Sequence, residues 1–440
     1  MRAADVAQQG FGGKMRVLCV TYCGGHAHMI YPVVHALQQR APDVLVQVLA
    51  LPAATSTLRR NGIDCLGLGD FLDPVADADA VAWGKALAEI HHSPTIGVAL
   101  EDSIAYLGLN YKDLVLRHGE DGAQALMATR GRQAFLPLTV MERVFDRLQP
   151  DFVVTSNSPR SEAAAIEIAN RRGIDNLIMT DLFTGLGDYQ LKGRTITFLN
   201  EFARDMFAAD GLVDDSISEL HCTGNPAFDK ILALPRQPDR AWLDQQFIEL
   251  GGRKVVLHAD MPAYWDPVHR RSHFKTEAQT LEELEACYGA AQANQTHYLV
   301  RPHPSQDRAF YAQWVQNKPH ISLAADCDLH TLLVNVDLMV ARTTTVGLEA
   351  AMLGVRILQL DADFHTDLPL ATMGIAWGVN GYERLADAMA TALADEEGFH
   401  EIRKRMVTAL PTTPAATKIA DIILSKLRQQ TPARAVGEFE

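Results

Sequence analysis

A stretch in the second half of the chain combines a strand, a turn of small hydroxyl residues and a helix, in the order that builds an anion site. The strand is predicted at 336–341, and Thr343, Thr344 and Thr345 follow it closely. Such a turn points backbone N–H groups and the positive end of a helix at one position, where phosphate binds readily. Glu349 falls about one helical turn later, near enough to accept hydrogen bonds from a ribose on the same ligand. The alternative is an ordinary turn in which Thr343 or Thr344 only caps the helix.

A second loop suited to phosphate follows the strand predicted at 297–300. It reads Arg301-Pro302-His303-Pro304, and prolines on both sides restrict the backbone at His303. A fixed imidazole beside a cationic arginine suits a pyrophosphate or a phosphate leaving group. The alternative is a structural proline turn with a surface histidine. Because the carboxyl ends of parallel strands share one edge of a sheet, we expect this loop to converge with the threonine turn.

Two histidines, His26 and His28, are the first candidates for a catalytic base. They come after the first strand, next to Gly24 and Gly25, and we predict a glycine turn that lets a ligand approach the backbone closely. A histidine with a near-neutral pKa can take a proton from an acceptor hydroxyl. The turn is not the GxGxxG of dinucleotide sites. An HxH pair also suits a metal, but no third ligand stands at a suggestive spacing, so no metal is predicted.

Asp181 is the rival base, because it lies just past another strand end, and helix capping is its alternative role. Ser158 and Arg160 occupy the loop after the strand at 151–155, on the edge where an acceptor is expected. Arg160 either contacts an anionic group of the acceptor or donor, or is simply solvated. His258 ends the first strand of the second half and is expected to face a cleft between two domains.

Strands that alternate with helices must position these residues. Strands are predicted at 15–22, 44–51, 151–155, 176–180, 195–199 and 219–222, and again at 254–258, 297–300, 321–323, 336–341 and 356–360. Helices are predicted at 32–40, 55–61, 135–148, 162–172, 276–293 and 329–333. A further helix follows the threonine turn, and more helices are predicted from 361 to about 430. A mostly helical insertion is predicted at 70–132. The pattern predicts an α/β protein with an N-terminal Rossmann-like domain at 15–235 and a C-terminal one at 236–430, joined by the proline-containing segment 234–239.

Composition narrows the function classes. The 440 residues exceed what one core supports, and 48% hydrophobic with 21% charged residues is typical of a globular protein. The net charge of −14 argues against a nucleic-acid partner or a general anionic-membrane surface. The six cysteines include no CxxC pair, so neither zinc nor a disulfide framework is supported. Residues 1–14 lack a signal core, and no apolar run is long enough for a membrane span. A cytoplasmic location is expected, with peripheral membrane contact left open.

The second half resembles the nucleotide-sugar glycosyltransferases of the GT-B type, and most of all the capsule-polymer and CDP-glycerol glycerophosphotransferase-like enzymes. The resemblance is carried by 223–226, 254–258, 299–304 and 337–350, in that order and spacing. Glycerophosphotransferases usually carry a serine pair after Asp-Tyr, where this chain has Ala341-Arg342-Thr343-Thr344. That departure favours a sugar donor over a glycerol-phosphate donor.

The resemblance implies two Rossmann-like domains facing a cleft, with the nucleotide held mainly by the C-terminal one. It implies that His303 and Thr343 to Thr345 contact the donor phosphates, that Glu349 contacts the ribose, and that Arg342 also touches phosphate. It implies a last helix, at 418–428, that crosses back to the first domain. Such enzymes need no metal or other cofactor, because helix ends and side chains stabilise the leaving phosphate.

These observations predict a metal-independent glycosyltransferase that moves a sugar from a nucleotide-sugar donor to a glycan or other hydroxyl acceptor, in surface-polysaccharide or glycoconjugate synthesis. Three alternatives remain open. One is an enzyme like UDP-N-acetylglucosamine 2-epimerase, which would show a glycine pair and doubled glutamates in place of 343–349. The others are a CDP-glycerol-type glycerophosphotransferase and a non-catalytic subunit that binds nucleotide sugars.

Overall fold

The computed structural model of the chain describes residues 14–92, 98–183, 189–247, 250–266, 271–361 and 368–434. It divides into two compact units, of which the first comprises 1–229 and 414–440 and the second 230–413. The sequence predicted the division at 235; the chain leaves the first unit after Asp229 and returns to it at Pro414. No helix in the described part of the chain combines the length and apolar character that a bilayer span requires.

The first unit is built on a parallel sheet of six strands in the order β2-β1-β3-β4-β5-β6. The strands are β1 (Arg16–Thr21), β2 (Leu45–Ala50), β3 (Phe152–Ser156), β4 (Asp175–Met179), β5 (Thr195–Phe198) and β6 (Glu219–Cys222). Near-continuous apolar runs such as that of β1 are typical of parallel strands covered on both faces. All six strands stand where the sequence predicts them, within one or two residues at either end.

Helices cover both faces of this sheet. They are α1 (Gly24–Arg40), α2 (Pro52–Arg60), α3 (Ala78–His91), α4 (Leu100–Arg130), α5 (Leu138–Leu148), α6 (Ser161–Arg171), α7 (Glu201–Ala209) and the last helix of the chain, Ala415–Arg434. Alternate residues of β1 enter different apolar clusters. Leu18 and Val20 pack with residues of α3 to α6, whereas Val17 and Cys19 pack with α1, α2 and the last helix.

The helical insertion predicted at 70–132 is a pair of helices, α3 and α4, whose backbones approach each other closely at two glycines. A Cβ on Gly84 would collide with the backbone carbonyl of Ile104, and a Cβ on Gly108 would collide with that of Ala80. The two glycines therefore allow the two helix backbones to approach closely. Within α4, Gly119 adopts φ 70° and marks a kink, which is where the sequence predicts a loop. The other predicted loop, at Ser93-Pro94, lies outside the described residues.

Replacing Gly108 with alanine is expected to lower the free energy of unfolding by about 1–3 kcal/mol, because the added methyl group meets backbone atoms that cannot rotate away. Thermal unfolding followed by circular dichroism measures the effect. The control is Gly289→Ala, on the open face of a helix of the second unit, where no atom lies within 4 Å of a built Cβ. Alanine there should be neutral or should stabilise by up to about 1 kcal/mol. Equal melting temperatures for the two variants would contradict the close approach.

The second unit contains another parallel sheet of six strands, in the order β11-β10-β7-β12-β13-β14, and a separate hairpin, β8-β9. The strands are β7 (Val255–Ala259), β8 (Ala263–Asp266), β9 (Arg271–Phe274), β10 (His297–Arg301), β11 (Ile321–Leu323), β12 (Leu338–Ala341), β13 (Ile357–Leu360) and β14 (Trp377–Val379). The sequence predicts β7 and β10 to β13; the hairpin and β14 were not predicted.

The described residues of this part of the chain form eight helices. They are α8 (Asp229–Leu232) at the junction of the units, α9 (Arg240–Gln246), α10 (Glu277–Ala293), α11 (Arg308–Val315), α12 (Leu329–Asn335), α13 (Thr345–Leu353), α14 (Leu385–Ala394) and α15 (Glu396–Ala409). The last helix of the first unit, Ala415–Arg434, follows them and is numbered α16. Side chains of α10, α11 and α14 form one apolar cluster with the sheet. Short 3-10 helices occur at Leu68–Phe71, Gly131–Ala134, Pro226–Phe228 and Tyr382–Arg384.

One local prediction is wrong. Residues 23–28 were expected to form a glycine turn ahead of a helix starting at Pro32, but α1 already begins at Gly24, with Cys23 as its N-cap and Pro32 inside it. The buried residues Ala27, Met29 and Ile30 explain the difference, because their packing against the sheet stabilises a first turn that two glycines alone would disfavour.

Candidate functional site

Three neighbouring strands of the second unit end level with one another. In the register of the sheet, Ala259 of β7 lies opposite Arg301 of β10 on one side and Ala341 of β12 on the other. The segments that follow these strands therefore start at one edge of the sheet. This edge holds both the His303 loop and the threonine turn, as the sequence predicts.

The threonine turn caps α13. Thr344 is the N-cap, and its hydroxyl accepts a hydrogen bond from the N–H of Val346 at 3.4 Å. Thr345 is the first helical residue and is exposed, and Thr343 is half-buried. The capping alternative thus describes Thr344, while Thr343 and Thr345 are accessible at a helix N-terminus. Gly347 lets this turn pack closely, since a built Cβ would stand 2.8 Å from Leu370 Cδ1.

Glu349, predicted to contact a ribose, is held by a histidine that the sequence did not point to. His330 Nε2 lies 2.6 Å from Glu349 Oε2, and the two side chains are 17% and 15% exposed. His330 belongs to α12, which packs against α13. The pair orients the carboxylate and leaves part of it accessible.

The His303 imidazole is oriented by its own loop. Its Nδ1 lies 2.7 Å from Ser305 Oγ and accepts a hydrogen bond from the N–H of Ser305 at 3.2 Å. Because Nδ1 is an acceptor in this arrangement, a neutral ring carries its proton on Nε2. Gln306 closes the loop, since its Oε1 accepts from the His303 N–H at 2.7 Å. The ring is half-buried.

A chain of polar contacts joins the His303 loop to the strand before the threonine turn. Gln306 Nε2 donates to Asp260 Oδ2 at 3.1 Å, and Lys275 Nζ donates to Asp260 Oδ1 at 2.6 Å and to Glu283 Oε1 at 2.9 Å. Glu283 Oε2 then accepts from Arg342 Nη2 at 2.7 Å. The buried charge cluster is our name for the group formed by Asp260, Lys275, Glu283, Arg342 and the neighbouring His258. The cluster fixes the two loops relative to each other.

His258 lies wholly inside this cluster. Its Nδ1 is 2.6 Å from Tyr298 Oη, and its Nε2 is 3.2 Å from Glu283 Oε1. Burial alone would lower its pKa, but Cys287 and Glu283 outweigh burial and raise the pKa of His258 to about 10. Burial alone would raise the pKa of Glu283, but His258, Lys275 and Arg342 hold it well below its usual value. Since His258 is fully buried, its predicted part in donor binding could only act through the cluster.

The ligand atoms of His258, Asp260 and Glu283 all lie within 4.8 Å of one another, a spacing that a metal ion would accept. Lys275 Nζ, however, lies within 2.9 Å of both carboxylates, and its side chain is 3% exposed. The ammonium group therefore supplies the positive charge that these two carboxylates need. The chemistry of this donor set fits a structural ion-pair cluster.

The two arginines predicted to meet phosphate both have partners within the protein. Arg301 Nη1 donates to the carbonyls of Ala324 and Cys327, at 2.7 and 2.9 Å. Arg342 is buried between Glu283 and Asp361 and also donates to Tyr382 Oη at 3.0 Å. Contact of either guanidinium group with phosphate stays a prediction.

In the first unit, the end of β3 and the start of α1 come together. Nδ1 of the buried His26 is 2.8 Å from Ser156 Oγ and 3.6 Å from Glu162 Oε1, and the Ser156 hydroxyl donates to that oxygen at 3.2 Å. The His28 ring is edge-on to the Tyr31 ring, with 5.8 Å between the centroids. The contacts described for His26 and His28 therefore differ.

His26 is paired with Cys23 as well as with Glu162. Burial would lower the pKa of His26, but hydrogen bonds to Cys23 and Glu162, together with their charges, raise it to about 10. Burial would raise the pKa of Cys23, yet the bond to His26 lowers it overall. His26 therefore carries a proton at neutral pH and is poorly suited to act as a base there.

Asp181 follows β4 and is half-buried. Asn225 Nδ2 donates to its backbone carbonyl at 2.6 Å and approaches its carboxylate Oδ1 at 3.5 Å. Burial raises the pKa of Asp181, against the lowering influence of His26. The remainder of the predicted loop, 184–187, lies outside the described residues.

The loop before α6 gathers polar atoms that find no partner among the described residues. Ser158, predicted to bind the acceptor, is 1% exposed and its Oγ is unpartnered. Arg160 places its guanidinium carbon 3.8 Å from the centre of the Tyr22 ring, with its Nε unpartnered. The other such atoms in this loop and the following turn are Asn157 Oδ1, Ser161 Oγ and Glu162 Oε2. Buried polar groups without a hydrogen bond are uncommon, and in this loop several of them lie close together in the sequence.

No protein-family model matches the chain, and no curated protein sequence is similar to it. Solved structures are similar over nearly its whole length. UDP-GlcNAc 2-epimerase from Neisseria meningitidis, bound to UDP-GlcNAc, matches with a TM-score of 0.57 at 14% identity, over 94% of this chain and 100% of that one. MurG from Acinetobacter baumannii matches with a TM-score of 0.54 at 15% identity, over 93% and 99%. CalG4, the calicheamicin glycosyltransferase, matches with a TM-score of 0.54 at 14% identity, over 94% and 98%.

Identities this low show the fold alone. Both six-stranded parallel sheets with their covering helices agree with the predicted α/β architecture. The closer likeness to capsule-polymer and CDP-glycerol enzymes stays a prediction. We conclude that this chain has the GT-B fold, which is the fold of nucleotide-sugar enzymes that include both glycosyltransferases and epimerases.

Proposed function

We propose that the protein is a glycosyltransferase that moves a sugar from a nucleotide-sugar donor to a hydroxyl acceptor. The observation that carries the proposal is the edge of the second sheet, where the His303 loop and the threonine turn are joined through Asp260, Lys275 and Glu283. Two anion-suited loops held at one edge suit a diphosphate. The structure bound to UDP-GlcNAc that shares this fold supports a nucleotide sugar as the ligand.

In the proposed donor site, the start of α13 receives the phosphates. Thr343 and Thr345 add hydroxyl donors, and the Nε2–H of His303 donates to a phosphate oxygen. Glu349, held by His330, accepts hydrogen bonds from the ribose. These groups stabilise the diphosphate as it leaves, without requiring a metal ion.

In the proposed reaction, the acceptor oxygen forms a bond to the anomeric carbon of the sugar. The bond between that carbon and the phosphate oxygen breaks, and the electron pair leaves with the nucleotide diphosphate. A base takes the proton of the acceptor hydroxyl. Of the three candidates, we assign this role to Asp181, because it follows the end of a strand, whereas His26 is held protonated. The acceptor meets the loop of Ser158 and Arg160.

Replacing His303 with alanine is expected to weaken donor binding roughly 10- to 100-fold, the value of one hydrogen bond to a charged phosphate. The fold should persist, because among the described residues the ring is hydrogen bonded only within its own loop. Isothermal titration with a nucleotide diphosphate measures the effect. His400→Ala, which alters an exposed histidine of α15 in the same unit, is the control and should bind as the wild type does. If the His303 variant bound the nucleotide diphosphate with wild-type affinity, the proposal that the donor site lies at this edge would be wrong.

A second candidate is an epimerase, since structures of UDP-GlcNAc 2-epimerases share the fold. A panel of nucleotide sugars and CDP-glycerol separates the candidates. Release of nucleotide only when an acceptor is present supports transfer, and an isomerised donor without acceptor supports the epimerase. Binding without turnover supports a non-catalytic subunit.

Activity retained after chelation of divalent metals is expected under our proposal, and its loss would contradict the metal-independent mechanism.

A further inference from the structure

A cavity in the first unit lies at the other edge of the sheet from the residues that we propose for the acceptor and the base. Its volume is about 420 Å³, and it is lined by 190–194 and 211–214 together with Asn170 and Ile217. The segments 190–194 and 211–217 precede β5 and β6, so the cavity lies at the amino ends of these strands. The loop of Ser158 and Arg160 and the residue Asp181 follow the carboxyl ends of β3 and β4. In a parallel sheet these two sets of strand ends lie at opposite edges.

Hydrogen bonds hold the walls of this cavity together. The N–H of Leu191 donates to the carbonyl of Leu212 at 2.8 Å, which joins the segment before β5 to the segment before β6. Asn170 Nδ2, near the end of α6, donates to the carbonyl of Lys192 at 2.8 Å. The cavity is therefore preformed, and its volume falls within the range of about 300–1,000 Å³ that is typical of small-molecule pockets.

The apolar part of the lining is partly buried and partly exposed to solvent. Leu191 and Leu212 are 3% and 7% exposed, whereas Ile217 is 65% exposed. A single exposed apolar side chain is common on protein surfaces, but this one borders a preformed cavity that already contains two leucines. A ligand with an apolar body would remove Ile217 and the cavity wall from water at the same time, and this burial favours binding.

The charged groups of the lining are two cations and one carboxylate. Arg194 Nη1 pairs with Asp175 Oδ1 at 2.9 Å. Asp214 Oδ1 accepts hydrogen bonds from the N–H and the hydroxyl of Ser216, at 2.9 and 2.6 Å. Lys192 is exposed, and its ammonium group has neither an ion-pair partner nor a hydrogen bond among the described residues. In a chain with a net charge of −14, this ammonium group favours a ligand that carries a negative charge.

We propose that this cavity binds a small amphipathic anion, whose apolar body packs against Leu212 and Ile217 and whose charged group pairs with the Lys192 ammonium. A straight-chain carboxylate of medium length has this chemistry. The binding makes and breaks no covalent bond. Because the cavity and the proposed acceptor loop lie at opposite edges of the sheet, the ligand does not compete with the acceptor for the same groups.

The test is a fluorescence titration of the full-length chain with 1-anilinonaphthalene-8-sulfonate, an amphipathic anion, followed by its displacement with octanoate or with 1-octanol. Ile217→Ala should weaken the binding of all three probes roughly tenfold, because it removes apolar area from the site. Lys192→Gln should weaken octanoate roughly two- to fivefold, the value of an exposed ion pair, and should leave the uncharged 1-octanol unchanged.

Two exposed residues of the same unit provide matched controls. Leu116 on α4 is 61% exposed and lies outside the cavity lining, so Leu116→Ala should bind all three probes as the wild type does. Lys85 on α3 is exposed and also lies outside the lining, so Lys85→Gln should leave octanoate binding unchanged. Circular dichroism checks that each variant is folded.

The proposal is overturned if Ile217→Ala binds the probes with wild-type affinity, or if Lys192→Gln changes octanoate and 1-octanol binding equally. It is also overturned if sedimentation velocity shows a dimer that Ile217→Ala dissociates, since the exposed isoleucine would then belong to an interface between two copies. None of the probes is a nucleotide sugar or a glycan, so the outcome is independent of the transfer reaction proposed above.

Discussion

Glu283→Gln is expected to destabilise the second unit by about 3–5 kcal/mol, the cost of removing one partner from a buried ion pair. The carboxylate contacts Lys275, Arg342 and His258, and it is 1% exposed. Glutamine has nearly the same shape but no charge, so Lys275, Arg342 and His258 lose the negative charge that they share. Guanidinium denaturation followed by tryptophan fluorescence measures the effect. Four of the five tryptophans, at 242, 265, 314 and 377, lie within 230–413, so the signal reports mainly this unit.

The neighbouring residue on α10 provides the matched control. Glu282 is exposed, and Glu282→Gln makes the same chemical change one position away. Its effect should stay within about 0.5 kcal/mol. If both variants unfold at the same denaturant concentration, the charge cluster does not hold the edge of this sheet together. A destabilised Glu283→Gln chain should also bind donor less well, because the same contacts join the His303 loop to the threonine turn.

Asp181→Asn is expected to lower the turnover number roughly 10²- to 10⁴-fold, the usual contribution of a general base. The affinity for the nucleotide donor should stay unchanged, because the residues that we propose for donor binding belong to the other unit. Since burial raises the pKa of Asp181, wild-type activity should fall as the pH drops through that raised value, where the carboxylate becomes protonated. The asparagine variant should lack this acid limb. Steady-state kinetics across pH, together with donor titration, measure both effects.

Asp210→Asn is the corresponding control, since Asp210 is an exposed residue at the end of α7 in the same unit. It should retain wild-type turnover. If the turnover number of Asp181→Asn stayed within a few-fold of the wild-type value, Asp181 would not be the base, and His26 or His28 would be the remaining candidates. A loss that appeared only as weaker donor binding would assign Asp181 to positioning rather than proton transfer.

Most of the strands could be predicted because they are short apolar runs in a sheet that is covered on both faces, and Val255–Ala259 is an example with every residue buried. The start of α1 could not, because the packing of Met29 and Ile30 decides it over the low helix propensity of two glycines. The strand β14 was missed for a different reason. It has three residues, and the middle one, Gly378, is exposed, so it carries almost no pattern.

For the candidate site, the placement of the His303 loop and the threonine turn followed from the rule that parallel strands present their carboxyl ends at one edge. The buried partners did not follow. Glu283 lies within a helix, and its partners are 8, 25 and 59 residues away along the chain. Nothing local distinguishes it from a solvated glutamate such as Glu282. The same holds for Glu162, whose partner His26 belongs to a different element.

The last helix has a consequence for how the molecule is made. Its residues Ile419, Ala420 and Ile423 complete the apolar cluster of the first unit, and the carboxylate of Asp229 accepts hydrogen bonds from the N–H groups of Ala415 and Ala416 at its start. During translation, the N-terminal half emerges first but lacks this piece of its interior until the codons for 415–434 are read. The segment 230–413 is complete earlier. We therefore expect the segment 230–413 to reach its native state first, while the segment synthesised before it stays incomplete until the helix at 415–434 has emerged from the ribosome.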